Sequence, residues 1–170
     1  EVDMLEETYL KIISAKTAEL FAAATKVGAI LSDMKSKEKE ALEFYGRNLG
    51  LTFQIADDTL DYNSELKLFG KKIGQDFYEG KITLPIILLF QRADDKEKER
   101  LKEIFSKNVR SKDDLEYSLS LIKKYEIIKA CYKKAEHYIN LASNSLSVFG
   151  DSEEKNILEN LTSFSLTRNF

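Results

Sequence analysis

The stretch Phe53-Gln54-Ile55-Ala56-Asp57-Asp58-Thr59-Leu60-Asp61-Tyr62 sets three carboxylates into an otherwise apolar helical run. At about 100° per residue, Gln54, Asp57, Asp58 and Asp61 share an arc of about 100°. Leu49, Thr52, Phe53, Ile55, Ala56, Thr59, Leu60 and Tyr62 occupy the rest of the circumference. A helix apolar around most of its surface is buried. Inward carboxylates there are too costly to leave uncompensated, so a cation or a metal is expected to meet them. Oxygen ligands without a His or Cys partner suit a hard ion such as Mg²⁺, Mn²⁺ or Ca²⁺. Mg²⁺ takes few carboxylates and fills its shell with water and substrate phosphate, so the stripe suits a metal–phosphate complex better than a bare ion.

Around this helix the chain reads as helical throughout. One proline and seven glycines leave few breaks in 170 residues, and β-branched alternation is nearly absent. That length supports one domain with a substantial core, and the expected fold is an all-α helical bundle. A first helix is expected over roughly 8–33, with Leu10, Ile13, Leu20, Phe21, Ala24, Val27 and Leu31 on its apolar side. Ser36 is the expected N-cap of a second, over roughly 38–62, which carries the aspartates. Residues 63–80 form the longest loop, with Gly70, Gly74 and Gly80. Thr83 is placed to cap a helix with Pro85 in its first turn, running to about 92. Asp94 or Asp95 begins the next, which ends near 106. Ser111 with Asp114, and Asp151 with Glu154, resemble capping boxes. Helices are expected between them over roughly 113–125 and 127–149.

The bulk numbers exclude several classes. A net charge of −3, with lysines interleaved among acids, gives no footprint for a nucleic acid. The longest apolar run, 84–90, is too short for stable membrane insertion. The single Cys131 forms no internal disulfide and fits a reducing compartment, and no secretory signal is visible, so the cytoplasm is expected. His137 reads as a surface or structural residue, and Tyr117, Tyr125, Tyr132 and Tyr138 as packing residues.

The loop after the aspartate helix supplies the second clue. Gly70-Lys71-Lys72-Ile73-Gly74-Gln75-Asp76-Phe77-Tyr78-Glu79-Gly80-Lys81-Ile82-Thr83-Leu84-Pro85 brings three lysines soon after the carboxylates. Glycines permit close backbone approach, and lysines offer compact positive charge to phosphate oxygens. A loop this long inside a bundle is functional or disordered.

Together these stretches resemble the second aspartate-rich region of the trans-type polyprenyl diphosphate synthases, the isoprenyl diphosphate synthase family. The family pattern F-Q-x-x-D-D-x-x-D, a spacer, then G-K-x-x-G-x-D-x-x-x-G-K-x-T-L-P stands here as 53–61 and 70–85. Upstream, Tyr9-Leu10-Lys11-Ile12-Ile13-Ser14-Ala15-Lys16-Thr17-Ala18-Glu19-Leu20-Phe21 is similar to the family's Lys-Thr segment. The resemblance covers residues 9–85 directly.

It implies helices of the isoprenoid synthase type around a central cavity, a homodimer, and a Mg²⁺-assisted transfer. An allylic diphosphate ionises, isopentenyl diphosphate attacks the cation through its double bond, and loss of a proton leaves a longer prenyl diphosphate. By the same resemblance, Asp57, Asp58 and Asp61 would hold Mg²⁺, with Asp57 foremost. Gln54, Lys16, Thr17 and Lys81 would contact the diphosphate. Lys71 or Lys72 would stand beside them, the register between the two being open. Lys16 and Lys81 would stabilise the leaving charge. Asp76 matches a family position, and Arg168 resembles a basic tail. The Glu79–Pro85 variant looks more like the long-chain, octaprenyl-like members.

The family's first aspartate-rich motif, and the basic residues that bind isopentenyl diphosphate, have no match within the chain. Residues 1–170 therefore look like the C-terminal half of one synthase domain, expected to be inactive without the upstream half. Two alternatives stand beside elongation. A partner or regulatory subunit of a heteromeric synthase is disfavoured by the intact D-D-x-x-D. A terpene cyclase of related fold is disfavoured by the Lys-Thr and Gly-Lys motifs.

Overall fold

A computed structural model describes residues 6–63 and 73–167, with side chains to 165. Among these residues the chain is all-α, as expected. α1 (Glu6–Ile13) passes through a π-helical turn, Ser14–Ala18, into α2 (Glu19–Leu31), and α3 (Ser36–Leu60) follows. α4 (Gln75–Glu79), α5 (Leu84–Arg92), α6 (Asp95–Phe105), α7 (Lys112–Lys124), α8 (Ile127–Ser145) and α9 (Glu153–Thr167) complete the order, with a 3₁₀ turn over Leu146–Val148. No helix among the described residues is long and apolar enough to cross a membrane.

The helix ends follow local chemistry. α6 opens on an Asp94–Glu97 capping box and α7 on the expected Ser111–Asp114 box. Three expected caps differ. The Glu38 carboxylate accepts the Lys35 N–H at 2.8 Å, so the chain turns into α3 at Lys35 and Ser36 falls inside the first turn. Ser152, not Asp151, accepts the Lys155 N–H at 3.1 Å at the start of α9, because the helix begins one residue later than the expected box requires. Thr83 stands at the N-cap of α5 but makes no side-chain cap bond; Pro85 in the first turn removes one of the N–H groups a cap would serve.

The chain divides into two compact units. One holds Asp57–Tyr132 with the described part of the segment ending at Tyr9. Its centre is α5, where Leu84, Pro85, Ile86, Ile87, Leu88 and Leu89 are all buried, as expected of a helix apolar on every side. Phe77 of α4 meets the Phe105 ring edge-on at 5.4 Å.

The other unit holds Leu10–Ala56 and the chain from Lys133 onward. Tyr45 and Leu49 of α3 pack with Ile139 and Ala142 of α8 and with Leu146, and Phe21, Leu42, Phe149 and Leu158 close around them. The Tyr45 hydroxyl donates to the Leu158 carbonyl at 2.8 Å, which satisfies its one polar atom. In this unit two glycines let helices touch through their backbones. A Cβ on Gly46 would stand 2.5 Å from the Phe21 carbonyl oxygen, and one on Gly50 would stand 2.7 Å from the Ala18 Cα. In the space left at Gly46, the Thr25 hydroxyl donates to the Leu42 carbonyl at 2.6 Å.

Two glycine substitutions test this contact with opposite signs. Gly50→Ala should destabilise by about 1–3 kcal/mol, since overpacking against backbone outweighs a helix-propensity gain of about 1 kcal/mol. Gly28→Ala in α2, with nothing within 4 Å of the added Cβ, should keep that gain. Urea denaturation of both variants decides it; stabilisation by both would mean that the Gly50 contact carries no packing constraint.

Candidate functional site

The three carboxylates of the aspartate stripe have three different environments. Asp57 is exposed on α3. Asp58 is 6% exposed and accepts the Tyr9 hydroxyl at 2.7 Å. Burial, and next the Asp58 charge, push the Tyr9 hydroxyl far above its usual range, so Tyr9 stays neutral and donates. Asp61, just past the end of α3, accepts the Gln75 N–H through Oδ1 at 3.0 Å and the Asp76 N–H through Oδ2 at 2.8 Å. Its backbone carbonyl accepts the Gly74 N–H at 2.8 Å. For Asp58 and Asp61, the compensation expected from a cation therefore comes at least in part from hydrogen-bond donors.

Asp61 explains a helix that the sequence reads as loop. The first N–H groups of any helix lack partners within it, and here a carboxylate from outside α4 supplies acceptors for two of them. Gly74, at φ +81°, makes the turn that brings them there. α4 ends at Gly80, φ +75°, whose N–H bonds the Phe77 carbonyl at 3.0 Å while the Lys81 N–H bonds the Asp76 carbonyl at 2.9 Å. That pair of bonds is a Schellman motif, and it starts Lys81 off from a closed helix end. Lys81 Nζ pairs with Asp76 at 3.0 Å and with Glu79 at 2.6 Å. The hydrogen bond to Glu79, then that to Asp76, raises the Lys81 pKa, so the lysine is held charged.

In the other unit, the π-helical turn carries Lys16 and Thr17. A π turn inserts a residue into the helical ladder and shifts the side chains after it to a new face; such turns concentrate at functional sites. The Thr17 hydroxyl donates to the Gln54 side-chain oxygen at 2.7 Å. Gln54 is thereby held through its carbonyl end, so its amide NH₂ is the donating end, as contact with a phosphate oxygen requires. The Gly50–Ala18 contact lies one turn before Gln54 on α3 and at the close of the π turn, which is what lets Thr17 reach Gln54. Lys16 is exposed. Lys71, Lys72 and Arg168 lie outside the described residues.

Among the described residues, no three His, Cys, Asp or Glu side chains lie together as a metal-binding group. The donor chemistry of the stripe is all oxygen, which suits a hard ion, and Asp57 is exposed.

The sequence reading missed Tyr9 as a partner of the stripe, the π turn, and the glycine pair. The pair had a visible signal in Gly46-Arg47-Asn48-Leu49-Gly50, small residues one helical turn apart. The π turn had none. His137 is exposed, as expected. Tyr125 donates to Glu97 at 2.6 Å, and the Arg100 guanidinium lies 4.2 Å over the Tyr117 ring; both are packing residues with polar contacts.

Comparison with known proteins matches residues 1–122 to the polyprenyl synthetase family model. The chain is 37% identical, over 98% of its length, to a short chain isoprenyl diphosphate synthase of Methanothermobacter thermautotrophicus, of which it covers 51%. It is 34% identical over 98% of its length to an all-trans-nonaprenyl-diphosphate synthase (geranyl-diphosphate specific) of Rhodobacter capsulatus, of which it covers 50%. A crystal structure of a polyprenyl synthase from Caulobacter crescentus, complexed with calcium and isoprenyl diphosphate, is similar over the whole chain and 52% of its own. The TM-score is 0.92 and the identity 36%. The chain thus spans about half the length of the curated relatives it matches.

The separate environments of the aspartates predict separate costs. Asp61→Ala should destabilise by about 1–2 kcal/mol, the usual cost of removing a capping carboxylate. Asp57→Ala, at an exposed position, should change stability by no more than about 0.5 kcal/mol. Equal effects in metal-free urea titrations would remove the capping role from Asp61.

Proposed function

Because this chain belongs to the polyprenyl synthetase family, matched over residues 1–122, we propose that it carries the diphosphate-ionising part of a trans-prenyltransferase. The enzyme would elongate an allylic diphosphate with isopentenyl diphosphate, as a cytoplasmic homodimer, and make a long-chain product. The observation that carries the proposal is the junction at Asp61: one carboxylate joins the acidic stripe to the short helix whose closing turn leads into Lys81, so the stripe and Lys81 lie in one unit.

In the reaction, the C–O bond of the allylic diphosphate breaks and its electron pair leaves with the diphosphate. The isopentenyl double bond then forms the new C–C bond to the allylic carbon, and loss of a proton restores an alkene. Asp57 foremost, with Asp58 and Asp61, would hold Mg²⁺, which would neutralise charge on the diphosphate. Gln54 donates its amide to a diphosphate oxygen, held in register by Thr17. Lys16 and Lys81 place ammonium charge where negative charge grows as the leaving group departs, and preset charge of this kind acts without solvent reorganisation. Lys71 or Lys72 adds to it. Lys81 exchanges its carboxylate partners, Asp76 and Glu79, for diphosphate oxygens.

Support for a long-chain product comes from Glu79-Gly80-Lys81-Ile82-Thr83-Leu84-Pro85, whereas the relatives run from short-chain to nonaprenyl synthases. The test is elongation with Mg²⁺, farnesyl diphosphate and labelled isopentenyl diphosphate, the products being resolved by length. Residues 1–170 alone should turn over little or not at all; protein joining them to an upstream half with a first aspartate-rich motif should make long-chain prenyl diphosphates. Only hydrolysis, or no consumption of isopentenyl diphosphate by the longer protein, would overturn the proposal.

In that longer protein, Asp57→Ala should lower turnover at least about a hundredfold, and Lys16→Gln or Lys81→Gln should each cost on the order of 3 kcal/mol in kcat. Replacing either lysine with Arg should rescue only in part, since a planar fork does not reproduce a compact ammonium. A raised KM with unchanged kcat for both Gln variants would take these lysines out of the chemical step.

A further inference from the structure

Arg110 stands between α6 and α7, outside every motif that identifies the chain, yet its side chain lies against the turn that carries Lys81. Nη2 donates to the Phe105 carbonyl at the end of α6 at 2.8 Å, and Nη1 reaches the Tyr78 carbonyl of α4 at 3.4 Å. The guanidinium carbon lies 5.4 Å from the centre of the Phe105 ring. A Cβ on Gly80 would stand 2.7 Å from Nη2, 2.9 Å from Nη1 and 3.0 Å from Cζ. Gly80 is required for its φ of +75°, and the guanidinium lies in the open space beside it.

The carbonyls that Arg110 serves are the unpaired ones at two helix C-termini, where a cation is favoured and where a fork of donors can serve two helices at once. α4 has five residues, too few to hold itself helical without outside contacts. Asp61 secures its N-terminal end, and Arg110 is the corresponding contact at its C-terminal end. Arg110 Nε is buried with no hydrogen-bond partner, a cost that the remaining contacts of the side chain must offset.

We propose that Arg110 is a positioning residue for the prenyl transfer: by joining the ends of α4 and α6 beneath Gly80 it fixes the Gly80–Lys81 turn, and it acts on the reaction only through Lys81. This rests on the proposed contact between Lys81 and the diphosphate.

Two measurements test it. The first is hydrogen exchange of the Gly80 and Lys81 amides, both bonded within the turn. Arg110→Met keeps an apolar stem over Phe105 and removes the donors and charge. It should speed exchange of both amides by about tenfold or more relative to amides in α8, while Arg110→Lys should give a smaller change. Unchanged exchange in both would overturn the proposal. Should Arg110→Met fail to fold, Arg110→Lys carries the same comparison.

The second is a double-mutant cycle in the elongating protein. Arg110→Met should lower kcat about tenfold with KM within about threefold, and should have little further effect once Lys81 is Gln. Full additivity of the two losses would mean that Arg110 acts elsewhere, overturning the proposal. If Lys81→Gln alone leaves kcat unchanged, the diphosphate contact of Lys81 fails and the link from Arg110 to the reaction falls with it. The exchange measurement still decides whether Arg110 holds the turn.

Discussion

Carboxylates brought to the buried end of a helix must find donors, and α3 is organised by how it meets that requirement. Asp58 is satisfied by a buried tyrosine from α1 and Asp61 by two backbone N–H groups of α4. Each bond does more than lower a desolvation cost. The first ties the N-terminal helix to the stripe, and the second creates a short helix in a glycine-rich segment. From that helix follow the Schellman turn, the position of Lys81 and the seat for Arg110. One sequence pattern therefore shapes the local architecture at two points, with Asp57 its exposed member.

Close backbone approach plays the parallel part in the other unit. Gly46 and Gly50 remove the side chains that would keep α3 from Phe21 and Ala18. With the helices in contact, the π turn can set Thr17 on Gln54 rather than leaving it on the face a regular helix would give it. A single hydrogen bond of this kind contributes about 1 kcal/mol, so its value lies in fixing which end of the amide donates.

One unit holds the acids with a clamped lysine, and the other holds a lysine, a hydroxyl and an oriented amide. The matched relatives bear names spanning short-chain to nonaprenyl synthases. Those relatives are all named as diphosphate synthases.

The amino-acid sequence by itself determined the all-α class, the capping boxes at Ser111 and, in outline, the helix after Asp94, because periodicity and capping act within a few residues. It also determined the family, because the aspartate, Lys-Thr and Gly-Lys motifs keep their spacing. Helix starts near Ser36 and Asp151 came out a residue away, since several adjacent polar side chains can serve a helix start and only the realised backbone chooses among them. The divergent environments of Asp57, Asp58 and Asp61, and the existence of α4, were decided by tertiary structure alone. So were the π turn and the place of Arg110 under Gly80. Their partners are remote in the chain: Tyr9 lies 49 residues from Asp58, and Thr17 lies 37 from Gln54. A carboxylate's burial cost is the same whether a metal, a lysine or an N–H group meets it, so the pattern of acids announces that a donor is needed, and only the fold says which one arrives.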